Sequence, residues 1–377
     1  MVEPICPHFG TCGGCNTQHV DYDTQLENKK RYIENLIDCE NVKAFPSSPW
    51  HYRNRMDLLF SPTGLGFRVK GKWYKTVNID KCFIADKKIN KIADEIKLFF
   101  KDPDFFDIKK HNGTLRYAVI RTPQNTSSIS FVLNSDSFKI SNAIDKIKEF
   151  AKTTSAENII VTYVHSNTDT SISEDFFVIK GKDMLTESYL GKQFTYHVQG
   201  FFQNNTEMAE QMHKYVNNIL KTYETKNKTL LDLYAGVGTF GIINSELFKT
   251  VIIAESFPQC IDAAKINLET NKITNATAHV LDAKYLKKLE LPTSDLFFIT
   301  DPPRCGMNPK TIDHINTLKP EVIIYVSCNP NQLGRDIHKL RNYQIKSAAV
   351  FDLFPQTPHC EAVVELILKT KTPEPTQ

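Results

Sequence analysis

The sequence predicts an α/β protein in which a doubly wound, mostly parallel sheet occupies residues 196–377. Three observations lead to it. Beyond residue 196, short apolar runs alternate with helical stretches, the pattern of strand–helix–strand units around a parallel core. Residues 46–195 instead carry many strand-like runs and two helical stretches, which reads as an α+β unit with antiparallel strands. Residues 1–45 hold a cysteine cluster followed by one amphipathic stretch. A length of 377 residues suits two or three such domains.

Each element has its own signal. In DYDTQLENKKRYIENLI, Leu26, Tyr32, Ile33, Leu36 and Ile37 recur at near-helical spacing. The runs MDLLF, YAVIRT, SISFVL, NIIVTYV and DFFVIK read as strands of the central unit, with helices near IADEIKLFF and ISNAIDKIKEFA. The helix EMAEQMHKYVNNILKTY then leads into the strand TLLDL. VIIAES, the helix CIDAAKINLETN, ATAHVLD, DLFFITDPPR and EVIIYVSC continue the alternation. IKSAAVFDLF and AVVELILK read as a closing antiparallel hairpin, and KTKTPEPTQ as a frayed polar tail.

Composition sets bounds. The net charge is +3 from 46 basic and 43 acidic residues, so any nucleic-acid surface is a local patch. MVEPICPHFG lacks the layout of a signal peptide, and no run of about 18 apolar residues predicts a membrane span. Nine cysteines, an odd number, argue against a full disulfide framework and for a cytoplasmic protein. In a reducing compartment, clustered cysteines point to metal or catalysis.

The strand TLLDL runs straight into YAGVGTFG, and ligands of open α/β sheets bind beyond the carboxyl ends of the strands. Gly236 and Gly238 allow a tight turn and close backbone approach. Glu255 ends the next strand, where a carboxylate accepts hydrogen bonds from two ribose hydroxyls. Asp282 follows the third strand, in reach of an adenine amino group, and Asp232 ends the first, beside a sulfonium or amino group. Three carboxylates would repel a pyrophosphate. They favour a nucleoside bearing a positive sulfonium, which points to S-adenosylmethionine rather than a nicotinamide dinucleotide.

Asp301-Pro302-Pro303-Arg304 follows another strand, and the two prolines fix the direction of Asp301. Acidic-Pro-Pro motifs recur where methyltransferases hold a planar base. Arg304 stands where amine methyltransferases usually carry an aromatic. Cys328, in Ser327-Cys328-Asn329-Pro330, follows the strand EVIIYV. A thiol can be a mere buried hydrophobe, but at a strand end on the cofactor face it suits a nucleophile. Carbon 5 of uracil is too weak to attack a methyl sulfonium unaided. A thiolate adding to carbon 6 makes the ring an enolate and activates carbon 5. The site is therefore expected to lower the thiol pKa from about 8.5. The hydrogen on carbon 5 must then leave, and Glu361, which opens a strand, suits the base, ahead of His359.

These blocks together identify a resemblance. FFQNN (201–205), LDLYAGVGTFG (231–241), AESFPQCIDAAKINLETN (254–271), DPPRCG (301–306), SCNP (327–330) and FPQTPHCEAV (354–363) resemble the RNA uracil-5-methyltransferases. The resemblance implies a Rossmann-like methyltransferase domain, Cys328 as nucleophile, Glu361 as base and Asp301 on the uracil edge, with Arg304 beside it. It also implies cofactor contacts from Gln203, Tyr234, Gly236, Glu255 and Asp301, with Asp282 a looser transfer. Gly200 replaces the serine usual before FFQ. HYRNRMDLLF (51–60) is also similar to the family, which makes Arg53 and Arg55 candidates for phosphate contacts, exposed strand charges being the alternative.

Cys6, Cys12 and Cys15 open the chain, Gly13 and Gly14 permit a sharp wrap, and Cys82 can add a distant fourth thiolate. Coordination alone would suit zinc equally. The spacing resembles the 4Fe–4S site of the family's rRNA branch and archaeal tRNA members, which implies a structural or RNA-positioning cluster. Cys39, Cys260 and Cys305 read as spectators. The chain starts at the cluster, without the oligonucleotide-binding barrel of the longer rRNA enzymes. That layout resembles the shorter 23S rRNA enzymes, so 23S rRNA is the expected target and the tRNA T-loop the alternative. A monomer is expected. The rivals are an RNA cytosine-5-methyltransferase, whose second Pro-Cys motif is absent, and a non-catalytic RNA-binding protein.

Overall fold

A computed structural model describes residues 2–369, so the polar tail lies, from residue 370 onward, outside the described residues. The chain starts with α1 (Tyr22–Ile37) and β1 (Lys43–Phe45). The central unit holds β2 (Arg55–Ser61), β3 (Gly64–Val69), β4 (Lys72–Asn78), α2 (Lys87–Phe99), β5 (Leu115–Arg121), β6 (Ser128–Asn134), α3 (Ile140–Thr153), β7 (Asn158–Val164) and β8 (Phe176–Lys180). A hairpin of β9 (Met184–Tyr189) and β10 (Lys192–His197) follows, then α4 (Thr206–Leu220). The last part holds β11 (Thr229–Leu233), α5 (Thr239–Asn244), β12 (Thr250–Glu255), α6 (Pro258–Thr270), β13 (Ala276–Val280) and β14 (Leu296–Thr300). It ends with α7 (Pro309–Leu318), β15 (Val322–Ser327), α8 (Pro330–Lys339), β16 (Tyr343–Phe351) and β17 (Glu361–Leu368).

The expected doubly wound sheet is present, in the order β1-β16-β17-β15-β14-β11-β12-β13. Strands β11 to β15 are mutually parallel, and β17 runs antiparallel between β15 and β16. The inner strands are buried from end to end, as LFFIT and VIIYVS must be with helices on both faces. β1 adds a parallel edge beside β16. Ile33 and Ile37 of α1 pack in the same core as β14, β15 and β17. Lys29 of α1 pairs with Asp352 at 2.6 Å, both side chains buried. The helix that follows the cysteines is thus tied to the doubly wound sheet.

The central sheet has the order β4-β3-β2-β5-β6-β7-β8. It is antiparallel except for β6 and β7, which run parallel because α3 crosses between them. Tyr189, Phe194 and Tyr196 of the β9–β10 hairpin pack with Met208, Met212 and Phe240, in the core of the last domain. Asn54 and Arg121 join the two sheets. The Asn54 amide donates to the Asn204 carbonyl at 2.8 Å, its side chain to the Gln203 carbonyl and Thr206 Oγ1, and Arg121 to the Gly200 carbonyl at 2.5 Å.

Candidate active site

The carboxyl ends of β11, β12, β14 and β15 lie along one edge, because Leu233 pairs with both Ala254 and Thr300, and Thr300 pairs with Tyr325. The chain leaves β11 through Tyr234, Gly236 and Gly238, all with positive φ (62°, 53° and 83°). A Cβ on Gly236 would meet nothing within 4 Å, so its backbone faces open space. Asp232 is fully buried, and its Oδ2 accepts from the Gly241 amide at 2.7 Å, fastening β11 to α5. Asp232 Oδ1 has no partner among the described residues. Burial, eased by the Gly241 amide and reinforced by Glu255, pushes this carboxyl up to about 7.

Glu255 is held by its own turn. The Ser256 and Phe257 amides and the Ser256 hydroxyl donate to Oε1, while the Gly236 amide donates to Oε2 at 3.2 Å. An open glycine cradle, an orphaned buried carboxylate oxygen and a fixed glutamate fit a nucleoside with a cationic centre. Asp282 follows β13, as the sequence reading has it. Its carboxylate accepts from the Lys284 amide and pairs with Lys284 Nζ at 2.7 Å, on the surface.

Asp301 follows β14, its amide donating to the Leu233 carbonyl at 3.3 Å. Burial and the neighbouring Asp232 push its carboxyl up to about 7. Cys328 sits between β15 and α8. Ser327 Oγ donates to the Asn329 carbonyl and accepts from the Asn329 amide, both at 3.1 Å, and so braces the backbone around the thiol. Glu361 opens β17 and is buried. Burial raises it well above its usual range, Asp301 adds to this, and Arg304 opposes it. Burial likewise pushes the Cys328 thiol up to about 11, with Glu361 and Asp301 adding and Arg304 opposing. The lowered thiol expected from the sequence is therefore not a property of the free chain. Two carboxylates and desolvation outweigh one exposed guanidinium.

A cavity of about 760 Å³ joins Cys328, Glu361, Arg304 and His359 to Gln203, Arg53 and Arg55. Burial holds His359 below its usual pKa, and Arg304, Lys29 and Arg53 lower it further, so it stays neutral near pH 7. Arg53 donates from Nε to the Arg55 carbonyl at 3.0 Å. Arg55 is forked onto Asp57 at 2.9 and 3.0 Å. Its charge is thereby matched, which leaves Arg53 the freer phosphate candidate. Tyr234, Gly236, Glu255 and Asp301 do not line this cavity. Asp301 connects the two regions, since it acts on both Cys328 and Glu361 and is itself raised by Asp232.

Cys6, Cys12, Cys15 and Cys82 line the same cavity. All nine cysteines are free. Burial raises the thiols of Cys12, Cys15 and Cys82, and the neighbouring cysteine sulfurs raise them further. Among the described residues, no three His, Cys, Asp or Glu side chains are drawn together as a metal-holding group. The loop is stitched on both sides. Gly13 donates to the Arg68 carbonyl, Lys70 to that of Thr11, and Asn16 and Thr17 to that of Gln356. Sequence reasoning missed the residues that build this floor. Asn54 and Arg121 hold the 200–206 segment, and an arginine inside an apolar strand was the one available signal.

A family model described as tRNA (Uracil-5-)-methyltransferase matches residues 21–369. The chain belongs to this family. It is 35% identical, over 96% of its length and 85% of the relative's, to a tRNA (uracil(54)-C(5))-methyltransferase of Pyrococcus horikoshii. It is also 35% identical, over 96% of its length and 84% of the other's, to an uncharacterised RNA methyltransferase of Caldanaerobacter subterraneus. Among solved structures, a Pyrococcus abyssi tRNA (uracil-54, C5)-methyltransferase in complex with S-adenosyl-L-homocysteine superposes with a TM-score of 0.79. That likeness covers 95% of this chain and 86% of the other, at 30% identity.

This uracil-5-methyltransferase thus has the Rossmann-like methyltransferase fold and uses S-adenosylmethionine. The relatives named with a substrate are tRNA enzymes, so the comparisons favour the tRNA alternative over the 23S rRNA target. No described helix is long and apolar enough to cross a membrane.

Proposed function

We propose that this enzyme methylates carbon 5 of a tRNA uridine equivalent to position 54, with Cys328 as nucleophile and Glu361 as base. The reading is carried by Cys328, Glu361 and Arg304 facing one cavity while Asp301, behind them, reaches the cofactor edge. Gln203, Tyr234, Gly236 and Glu255 would hold the cofactor, which supplies an electrophilic methyl group when bound. The Cys328 sulfur bonds to carbon 6 of the uracil, and the ring electrons move to oxygen 4. Carbon 5 then takes the methyl group, and the methyl–sulfur bond of the donor breaks. Glu361 removes the carbon 5 proton, the ring double bond re-forms, and the carbon–sulfur bond to Cys328 breaks. Asp301 orients the uracil edge, and Arg304 offsets the carboxylates that hold the thiol up. A T-loop uridine suits a pocket of this kind, because a weakly stacked base is cheaper to extract.

Cys6, Cys12, Cys15 and Cys82 are further proposed to hold a 4Fe–4S cluster. What supports this is that the four thiols line one cavity and form a suitable donor set, although as placed no three of them form a metal-holding group. The cluster would fix the N-terminal loop against the RNA-facing wall. Anaerobic purification should yield about four irons and four sulfides per chain, and Cys12→Ser should remove them. An iron-free protein that is fully active overturns this assignment.

Tritiated S-adenosylmethionine, offered with separated tRNA and rRNA, tests the main reading. Label in tRNA as 5-methyluridine is expected, whereas label confined to rRNA restores the other target. Cys328→Ala should lose turnover and keep S-adenosylhomocysteine binding. Glu361→Gln should leave methylated RNA covalently attached on a denaturing gel, because elimination stalls. Full turnover in either variant refutes the roles.

A further inference from the structure

A second cavity, of about 590 Å³, lies beside the β3–β4 hairpin and on the far side of Arg68 from the catalytic one. Its volume falls within the roughly 300–1,000 Å³ usual for small-molecule sites. Leu59, Arg68 and Tyr117 line both cavities, so they share a wall. Strand β4 is the free edge of the central sheet. Its outer half reads Lys72-Trp73-Tyr74-Lys75, all exposed, with Trp73 61% exposed. The lysines protect this edge from pairing with another strand, and the exposed Trp73 and Tyr74 rings between them, 5.7 Å apart, offer a surface on which a planar base can stack.

The cavity wall is cationic. Lys109 Nζ lies 3.6 Å from the Tyr74 ring centroid, and the Arg116 guanidinium 4.1 Å from that of Phe106. Arg116 is 3% exposed, donates to the carbonyls of His165 and Thr168, and keeps a buried Nε without a partner. The two carboxylates there are engaged. Asp169 pairs with Arg68 at 3.0 Å, and Asp107 accepts from the backbone of Lys109 and Lys110. The Lys109 ammonium in the cavity and the exposed Trp73 indole just outside it, 5.7 Å from the Tyr74 ring that lines it, together match a nucleotide, with phosphate for the cation and a base for the ring.

We propose that the β3–β4 hairpin and its cavity form a second RNA-contact site, which grips an unpaired nucleotide of the substrate away from the methylated uridine. This rests on the reading above that the substrate is an RNA with its target in a loop. Trp73 stacks on the base and Lys109 takes the phosphate, while the buried Arg116 adds positive charge behind it. Arg68 separates this nucleotide from the catalytic cavity, so both sites can be filled by one RNA.

Trp73 and Trp50 are the two tryptophans of the chain, which gives a direct readout. A short oligouridylate should quench the fluorescence of the wild-type protein, and Trp73→Phe should lose most of that quench. Trp73→Ala should raise KM for whole tRNA roughly tenfold. Its kcat, and its KM for an isolated T-arm hairpin, should stay unchanged. Lys109→Ala should lower the salt slope of RNA binding by about one. Unaltered quench in Trp73→Phe, an unaltered KM for tRNA, or an equal rise on the T-arm hairpin would each overturn the proposal. If wild-type protein labels no tRNA, the substrate reading fails, and the oligouridylate quench still decides the hairpin site.

Discussion

Arg304→Ala offers a direct test of how this site makes a thiolate. Burial, Glu361 and Asp301 hold the Cys328 thiol at about 11, and Arg304 is the cation that opposes them. Arg304 also hydrogen-bonds the thiol, and at an effective dielectric of about 20 unit charges at such contact range, about 4 Å, interact by about 4 kcal/mol. Arg304 is exposed, and solvent screening cuts that figure by well over half. About 1.4 kcal/mol remains, equal to about one pH unit in the thiol. Removing the cation disfavours thiolate, so the thiol should rise by that amount. Thiolate is the form present above the pKa, so the rising limb of the rate–pH profile should move about one unit to higher pH. Below that limb the rate should fall about tenfold. Single-turnover methylation with saturating RNA isolates this effect from binding, and the pH dependence of Cys328 alkylation in the free protein reads the thiol shift directly. Arg304→Lys should recover part of the shift, since it keeps a charge and loses the planar fork. A lower methylation rate for Arg304→Ala beside an unmoved Cys328 alkylation profile would refute the electrostatic role and leave Arg304 as a substrate contact alone.

Two further predictions concern the frame. Lys29→Met should cost about 3–5 kcal/mol in urea unfolding, because it strands the buried Asp352 carboxylate. The double variant with Asp352→Leu should regain most of that loss, and failure to regain it would show that the pair matters through something besides charge. Burial pushes Glu187 up to about 7, although Thr206, Arg121 and Tyr196 pull it down. The folded state therefore binds its proton more tightly than the unfolded state, and stability from this group is lost as pH rises from about 4.5 to 7. Glu187→Gln should flatten stability over that window, where the native slope totals about 3 kcal/mol. An unchanged slope would place the titration elsewhere.

Much of the catalytic edge was legible because its signals are local. Tyr234 to Gly238, Asp301-Pro-Pro and Cys328-Asn329 each follow a strand with three or more apolar residues, and strand ends of one sheet share an edge. The frame was less legible because it depends on distant partners. β1 has three residues, too few to show alternation, and joins the sheet through a partner about 300 positions away. Lys29 reads as a solvated helix charge until Asp352 meets it. Arg55 reads as a phosphate contact until Asp57, two residues on along the same strand face, is seen to hold it. The thiol was misjudged for the same reason. Its chemistry was visible in the motif, but the two carboxylates that raise it, Asp301 and Glu361, come from the ends of two other strands, β14 and β17.

Those carboxylates also bear on how product leaves. Asp232 and Asp301 are each pushed up to about 7, and each contributes to a cluster that Glu361 and Glu255 extend. Such a cluster is unfavourable when all its members are ionised, and a cation placed among them relieves it. S-adenosylmethionine brings a sulfonium, and its product does not. Methyl transfer therefore removes the charge that the acids attract, which weakens the hold on the spent cofactor. Above pH 7 the acids are ionised, so thermal stabilisation should be larger with S-adenosylmethionine than with S-adenosylhomocysteine at equal saturation. Below about pH 6 both aspartates are protonated, and the difference should close. Asp232→Asn should shrink the gap at pH 8 without abolishing binding, because on the proposed reading Glu255 and the glycine turn would still hold the nucleoside. A gap that is independent of pH would mean that shape, not charge, distinguishes donor from product.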